Sequence, residues 1–527
     1  MKPIQTDRRQ LLRLAAATAT TLWLPRSAWS RAPALAQDPF ALGVASGAPA
    51  PDGVVLWTRL VFPEPLAREV TVRWEVAHDE AFTRIARSGV AQAVPALGHA
   101  VHAEVQGLES DRWYFYRFWA GEAGSPVGRT RTAPAHGAEV ARLRVGYASC
   151  QRWEHGYYAA WRHLRADAPD LVVFLGDYIY EYPGAQNAVR SVKGGWVLTL
   201  DDYRDRYALH RSDADLRAMH AACPWLLTWD DHEVQNDYAA LHEGTGVPVV
   251  GTVADFAARR AAAYQAWYEH MPVRASVLTR GLSGLAQGAE MRVHQQWAWG
   301  RLATLHLLDG RQYRDRQPCL KDGKPGGTLV DPAQCAEWAD TRRTYLGAAQ
   351  EQWLDQALAR SAGRWNVIGQ QTLFGTRDAR PGPGQRLWND GWDGYAGARR
   401  RLTDALQKHR VSNPVFLGGD VHENWVGHVK ADYADADSVT LGVEFCGTSI
   451  SSRASATAVE RTPERLAENP HFVFGDAQYR GYGLADFTPQ GLQTTLRAVE
   501  DVTRADSAAF TLAAFEVREG RARIERR

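Results

Sequence analysis

The chain has almost no net charge, few sulfur-bearing residues and no long apolar run beyond its N-terminal segment. Lys and Arg number 61 against 60 Asp and Glu, so there is no global basic footprint of the kind that binds nucleic acid. No later run approaches the roughly 20 apolar residues that a spanning helix needs. Neither an internal repeat nor a low-complexity tract is present, which argues against a solenoid or an array. What is abundant is aromatic: 20 Trp and 19 Tyr, most of them expected in the core of a large, rigid protein.

The first segment reads as an address. Arg8-Arg9 precedes a mild, Ala/Thr-rich apolar stretch from Leu14 to Leu24, and Ala34-Leu35-Ala36 gives a small-x-small cleavage pattern before Gln37. Paired arginines ahead of a modest apolar segment look like a twin-arginine export signal over residues 1–36. The expected route is the Tat translocase, and the expected location is periplasmic or secreted. About 490 residues then remain, enough for two or more domains.

Residues 38–135 carry short β-branched and aromatic runs such as Val54–Thr58, Val70–Val76 and Trp113–Phe118. Turn signals such as Pro51-Asp52-Gly53 separate them, and no helical pattern intervenes. This spacing predicts an N-terminal all-β sandwich of fibronectin III or Ig-like type. Over 141–527 the pattern changes. Near-continuous apolar runs (Leu171–Leu175, Trp225–Trp229, Leu302–Leu308, Trp365–Gly369, Val415–Leu417) alternate with stretches of helical period at 156–167, 253–271, 347–360 and 396–409. Runs of that kind suit sheets covered on both faces, so the second region is expected to be α/β, with mixed sheets flanked by helices.

Four clusters of ligand-type residues each follow an apolar run: Tyr147-Ala148-Ser149-Cys150, Gly176-Asp177-Tyr178-Ile179-Tyr180, Asp230-Asp231-His232-Glu233-Val234-Gln235-Asn236 and Gly418-Gly419-Asp420-Val421-His422-Glu423-Asn424. Side chains just past buried strands can converge at one sheet edge, where a metal centre is easily built. Thiolate (Cys150), phenolate (Tyr180), carboxylate (Asp177) and imidazole (His422) together favour a strongly Lewis-acidic ion such as Fe3+, because Cys and Tyr bind deprotonated. Asp231, Asn236 and Asp420 are hard oxygen donors suited to Ca2+, Mg2+ or Mn2+. Asp231 and Asn236 compete for the stronger ligand role, and Glu233 and Glu423 are equally compatible with supporting hydrogen bonds. Arg311 and Arg314, past the run ending at Leu308, are candidates to neutralise anionic oxygens. His232 is a candidate to orient a ligand or protonate a leaving oxygen. Of the other cysteines, Cys319 and Cys335 bracket a Gly/Pro/Lys loop and read as a local disulfide, while Cys223 and Cys446 read as buried thiols.

In order and type the clusters resemble the strand-end motifs of calcineurin-like metallophosphoesterases. Cys150 replaces the usual first Asp, Tyr180 follows Asp177 at i+3, Asp231-His232-Glu233 stands for Asn-His-Glu, and Gly419-Asp420-Val421-His422 stands for Gly-His-x-His. With those substitutions the chain is similar to the PhoD-type alkaline phosphatase/phosphodiesterase family, as are Leu42–Gly47, Asp52–Arg59 and Leu308–Arg314. The resemblance implies an exported phosphoric ester hydrolase that cleaves monoesters and diesters with metal-activated hydroxide and needs no protein nucleophile. It implies one Fe3+, up to two Ca2+, and Asp177 shared between metals as in the related purple acid phosphatases. Expected substrates are organic phosphates, phospholipids or teichoic acid-like polymers, acted on by a monomer. A phospholipase D-like phosphodiesterase is the alternative, and a non-catalytic surface-binding protein is a third reading.

Overall fold

The computed structural model describes residues 38–246, 252–278, 290–435 and 437–527, so the export-signal expectation lies outside the described residues. Two large sheets face each other. Ten strands form the first, in the spatial order Ile524–Arg526, Ala509–Arg518, Gly491–Val499, Arg480–Phe487, Leu143–Ala148, Leu171–Phe174, Pro224–Leu227, Val44–Ala50, Gly53–Arg59 and Ala100–Gln106. Its centre is parallel: Leu171–Phe174 pairs with Leu143–Ala148 on one side and Pro224–Leu227 on the other. The second sheet has seven strands, with Ala303–Leu307, Trp365–Gly369, Pro414–Gly418 and Thr440–Cys446 running parallel at its centre.

Strand geometry explains why the central runs are apolar throughout. Successive side chains point to opposite faces. In Leu171–Phe174, Leu171 and Val173 enter the core between the sheets beside Leu305, Val367, Val415 and Phe445. Val172 and Phe174 face the other way and pack with Trp161, Trp225 and Trp267 against helices. Both faces are therefore buried, and a polar residue on either would interrupt a core. Helices Ala348–Ala359 and Ala396–Lys408 cover the outer face of the second sheet through Leu354, Leu358, Leu402 and Leu406. Helix Val253–His270 covers the first sheet and starts at Thr252, whose hydroxyl and the Asp255 carboxylate form a reciprocal capping box. The predicted helices at 156–167, 253–271, 347–360 and 396–409 all appear, within a few residues of their expected ends.

The N-terminal region is built of strands. Its strands form two facing layers around Val54, Leu56, Val72, Val76, Val101 and Tyr116, and one of these layers is continuous with the large sheet. Val44–Ala50, Gly53–Arg59 and Ala100–Gln106 continue the ten-stranded sheet, with Ser46 and Gly47 in parallel register with Pro224 and Trp225. Only the other layer, built on Ile85–Ala93, Val70–Ala77 and Trp113–Ala120, is a sheet of its own. Buried polar contacts reinforce the join: Trp57 Nε1 donates to Glu269 O at 3.0 Å, and the Arg211 guanidinium lies 4.1 Å from the Trp57 ring centre. Backbone pairing at a strand's free edge leaves no mark on side-chain pattern, so sequence periodicity could not show this continuity. The Cys319–Cys335 disulfide is formed, and Cys150, Cys223 and Cys446 are buried free thiols. No described helix is long and apolar enough to cross a membrane.

Candidate metal centre

The four clusters meet where the two sheets' parallel strands end. Cys150 follows Leu143–Ala148, Asp177 follows Leu171–Phe174, Asp231 follows Pro224–Leu227, and Asp420 and His422 follow Pro414–Gly418. Cys150, Asp177, Asp420 and His422 all have left-handed backbone, with φ of 58°, 60°, 65° and 57°. That conformation costs an L-residue about 1–2 kcal/mol, and such strain collects where a side chain must be aimed rather than packed. Gly176 has φ +111° and lies so close to Asp230 that an added Cβ would fall 2.5 Å from Asp230 Cβ. The glycine before Asp177 is thus required both by conformation and by space.

Three groups of ligand-type atoms result: Cys150 with Asp177 and His422, Asp177 with Asp231 and His232, and Asp231 with Asp237 and Asp390, the atoms in each lying within 4.8 Å of one another. Asp177 belongs to two of them. Its Oδ2 accepts from the Tyr180 hydroxyl at 2.8 Å, while its buried Oδ1 has no hydrogen-bond partner. The Tyr180 hydroxyl also lies 3.1 Å from His422 Nε2 and 2.8 Å from the Ser452 hydroxyl. Cys150, Asp177, Tyr180 and His422 are thereby brought together as expected.

The electrostatics fit a cation at this point. Burial, then the neighbouring Asp177, pushes both the Cys150 thiol and the Tyr180 hydroxyl well above their ordinary pKa. Burial and the charge of Asp231 raise Asp177 well above the carboxylate range, and the same two causes bring Asp420 to about 7. Burial and the nearby Arg480 lower His422 to about 3, leaving its imidazole neutral and able to bind a metal. A buried set of acidic groups short of positive charge, with one orphaned carboxylate oxygen at its centre, is the environment a bound metal ion completes.

The supporting residues are well defined. Glu233 accepts backbone N–H bonds from Asp177 at 3.0 Å, Tyr178 at 2.7 Å and Asp230 at 2.9 Å, so it shapes the loops rather than facing the ligands. Glu423 is engaged with Arg377, Arg465 and Trp425. His232 Nδ1 is held by Glu181 Oε2 at 2.8 Å, leaving Nε2 for chemistry, and the ring lies 4.1 Å from that of Tyr180. Burial opposes charge on His232, but Asp177, Asp231 and Glu181 outweigh it and raise its pKa above the ordinary imidazole value. Burial likewise opposes ionisation of Asp231, yet Arg311 and His232 hold it below the usual range.

The surroundings of Arg311, Arg314 and Asn236 bear on their expected roles. Arg311 and Arg314 are not open to a substrate: Arg311 is fully buried against Asp230 and Asp390, with Asp231 at 3.5 Å, and Arg314 is committed to Asp390. They organise carboxylates because the interior would not tolerate either charge alone. Asn236 donates through Nδ2 to the Thr245 hydroxyl, which leaves its Oδ1 uncommitted among the described residues, and its neighbour Asp237 adds a carboxylate beside Asp231. Sequence reading passed over Glu181, Asp237, Asp390 and Ser452. The first two directly adjoin recognised motifs, whereas Asp390 and Ser452 lie in loops and are brought in only by tertiary folding.

Comparison with known proteins places the chain in one family. The PhoD-like phosphatase family matches residues 145–496, and the PhoD-like phosphatase N-terminal domain matches residues 26–134. Alkaline phosphatase D of Bacillus subtilis is 43% identical over 497 residues, which is 92% of this chain and 82% of that one. A solved structure of PhoD superposes with a TM-score of 0.86 at 41% identity, covering 94% of this chain and 93% of the other. The chain belongs to the PhoD-like phosphatase family and is a phosphoric ester hydrolase.

Proposed function

We propose that the protein is exported and hydrolyses phosphate monoesters and diesters at the strand-end centre, with Fe3+ held by Cys150, Asp177, Tyr180 and His422 and Ca2+ on the side of Asp231 and Asp420. The observation that carries this reading is Asp177, shared between two groups of ligand atoms and left with an unpartnered buried oxygen. When bound, a pair of such metals supplies Lewis acidity and water activation for in-line displacement at phosphorus. The chain's own groups do the rest. Arg311 and the Asp237 N–H (2.7 Å from Asp231 Oδ2) hold Asp231 ionised and fixed. Glu181 fixes the His232 ring, whose proton can pass to the leaving ester oxygen.

Purified protein should hydrolyse both p-nitrophenyl phosphate and bis(p-nitrophenyl) phosphate. Chelation should abolish both activities, and Ca2+ should restore them better than Mg2+, because Ca2+ tolerates an irregular oxygen site where Mg2+ demands a near-octahedral one. Undiminished turnover after exhaustive chelation would count against the reading. Export is tested separately: changing Arg8 and Arg9 to lysine should leave active enzyme in the cytoplasm, and unchanged activity outside it would refute the twin-arginine route.

A further inference from the structure

With Arg311 and Arg314 closed off by carboxylates, a cationic side chain for the phosphoryl group has to come from elsewhere if one is present. The loop after Leu143–Ala148 supplies one. Arg152 sits two residues past Cys150, and its backbone N–H donates at 3.0 Å to the Ser452 hydroxyl, which itself lies 2.8 Å from the Tyr180 hydroxyl. Its guanidinium carbon is 5.6 Å from the centre of the Tyr180 ring and 5.0 Å from that of Tyr182. The Tyr182 ring in turn makes an edge contact with His232 at 5.1 Å. The side chain is 15% exposed. Among the described residues, the guanidinium makes no hydrogen bond to a protein acceptor. The nearest carboxylate oxygen, on Glu154, is 3.7 Å from Nε, and Nε is buried without a hydrogen-bond partner.

Neighbouring arginines are otherwise occupied. Arg480 donates to the carbonyls of His422, Ser452 and Ala477, Arg206 to those of Tyr180 and Tyr182, and Arg453 to that of Asn187. Arg190 pairs with Asp213 at 2.7 Å. Arg480 and Arg206 are braces on several carbonyls, whereas Arg190 and Arg453 are each anchored by part of their donor set, on Asp213 and Asn187. Arg152 has its plane steadied by two aromatic rings and its buried Nε turned to Glu154 in a long ion pair, while its Nη donors make no hydrogen bond to a protein acceptor among the described residues and are left for a phosphate.

We propose that Arg152 is a catalytic residue that donates hydrogen bonds to the non-bridging oxygens of the scissile phosphoryl group, the role that sequence position had suggested for Arg311 and Arg314. The assignment rests on the ester-hydrolase reading of the Cys150–Asp177–His422 centre. A dianionic monoester or inorganic phosphate places more charge on those oxygens than a diester does, so both should depend on Arg152 more strongly than a diester.

The test uses metal-loaded enzyme and the variants Arg152→Ala and Arg152→Lys, with p-nitrophenyl phosphate, its bis ester, and inorganic phosphate as inhibitor. Alanine keeps the backbone N–H that serves Ser452, so the loop's anchor survives. Arg152→Ala is expected to lower kcat/KM for the monoester on the order of 10- to 100-fold. The bis ester should lose less, inhibition by phosphate should weaken in parallel with the monoester loss, and metal content and melting temperature should stay unchanged. Arg152→Lys should retain part of the activity, and added guanidinium ion should partly rescue the alanine variant. Monoester kinetics and phosphate inhibition within twofold of wild type would overturn the assignment, as would equal losses on both substrates without guanidinium rescue. If Arg152→Ala does not fold, a lysine variant with wild-type phosphate inhibition overturns it just as well. A wild-type enzyme inactive on both esters would instead refute the hydrolase reading itself, so the two failures are separable.

Discussion

Asp177→Asn should reduce hydrolysis of phosphate esters by on the order of 1,000-fold or more, because one change removes a ligand from both groups of metal-binding atoms. Asparagine is the informative replacement. It tolerates the left-handed backbone found at this position, φ 60°, and it keeps an oxygen able to accept from Tyr180. The loss of activity would therefore come from the missing charge and not from a broken turn. In metal-stripped protein the same change should be neutral or stabilising. Burial and Asp231 raise the folded-state pKa of Asp177 above its unfolded value. For an acid shifted in that direction, folding is opposed as pH rises past the unfolded pKa, and a neutral amide escapes the penalty. Urea midpoints of the chelated proteins at neutral pH, set beside their kcat values, check both halves. A stripped variant much less stable than stripped wild type would show that Asp177 is a structural carboxylate.

Arg311→Met should destabilise the protein by about 3–5 kcal/mol, the range seen when one partner of a buried ion pair is removed. The guanidinium serves Asp230, Asp390 and, at 3.5 Å, Asp231, and all four side chains are almost wholly enclosed. Methionine fills comparable space but leaves three carboxylates with a much weaker counter-charge. Activity should fall with stability because Asp231 loses the cation that holds it ionised. Arg311→Lys should recover little, since one ammonium cannot reproduce a planar fork spanning separate carboxylates. Chemical denaturation followed by circular dichroism measures the effect, and a methionine variant within 1 kcal/mol of wild type would contradict the assigned role.

The strands and helices around the centre were legible because burial on both faces forces apolar runs, and helix-covered faces force a helical period. Leu171–Phe174 and Val253–His270 follow directly from those rules. The convergence of the candidate ligands was legible for a related reason: Cys150, Asp177, Tyr180 and His422 all lie just past such strands, where a reactive residue in an apolar context is conspicuous. What periodicity misses is anything decided by backbone pairing or by contact between distant loops. The fusion of Val44–Ala50 to Pro224–Leu227 is edge hydrogen bonding, which is indifferent to side chains. The fate of Arg311 depended on Asp390, a residue in a loop 79 positions away, and its burial converts an apparent substrate contact into a structural ion pair.

The most direct test of the centre is the visible spectrum of the concentrated, metal-loaded enzyme alongside its iron content. Thiolate and phenolate ligands on Fe3+ give charge-transfer absorption, so wild type should be coloured and contain about one iron per chain. Cys150→Ser and Tyr180→Phe should each shift or bleach the band and lower activity, whereas Cys319→Ser, which opens the Cys319–Cys335 disulfide and removes no candidate ligand, should leave the band in place. A colourless, fully active wild type that contains zinc and no iron would contradict the account.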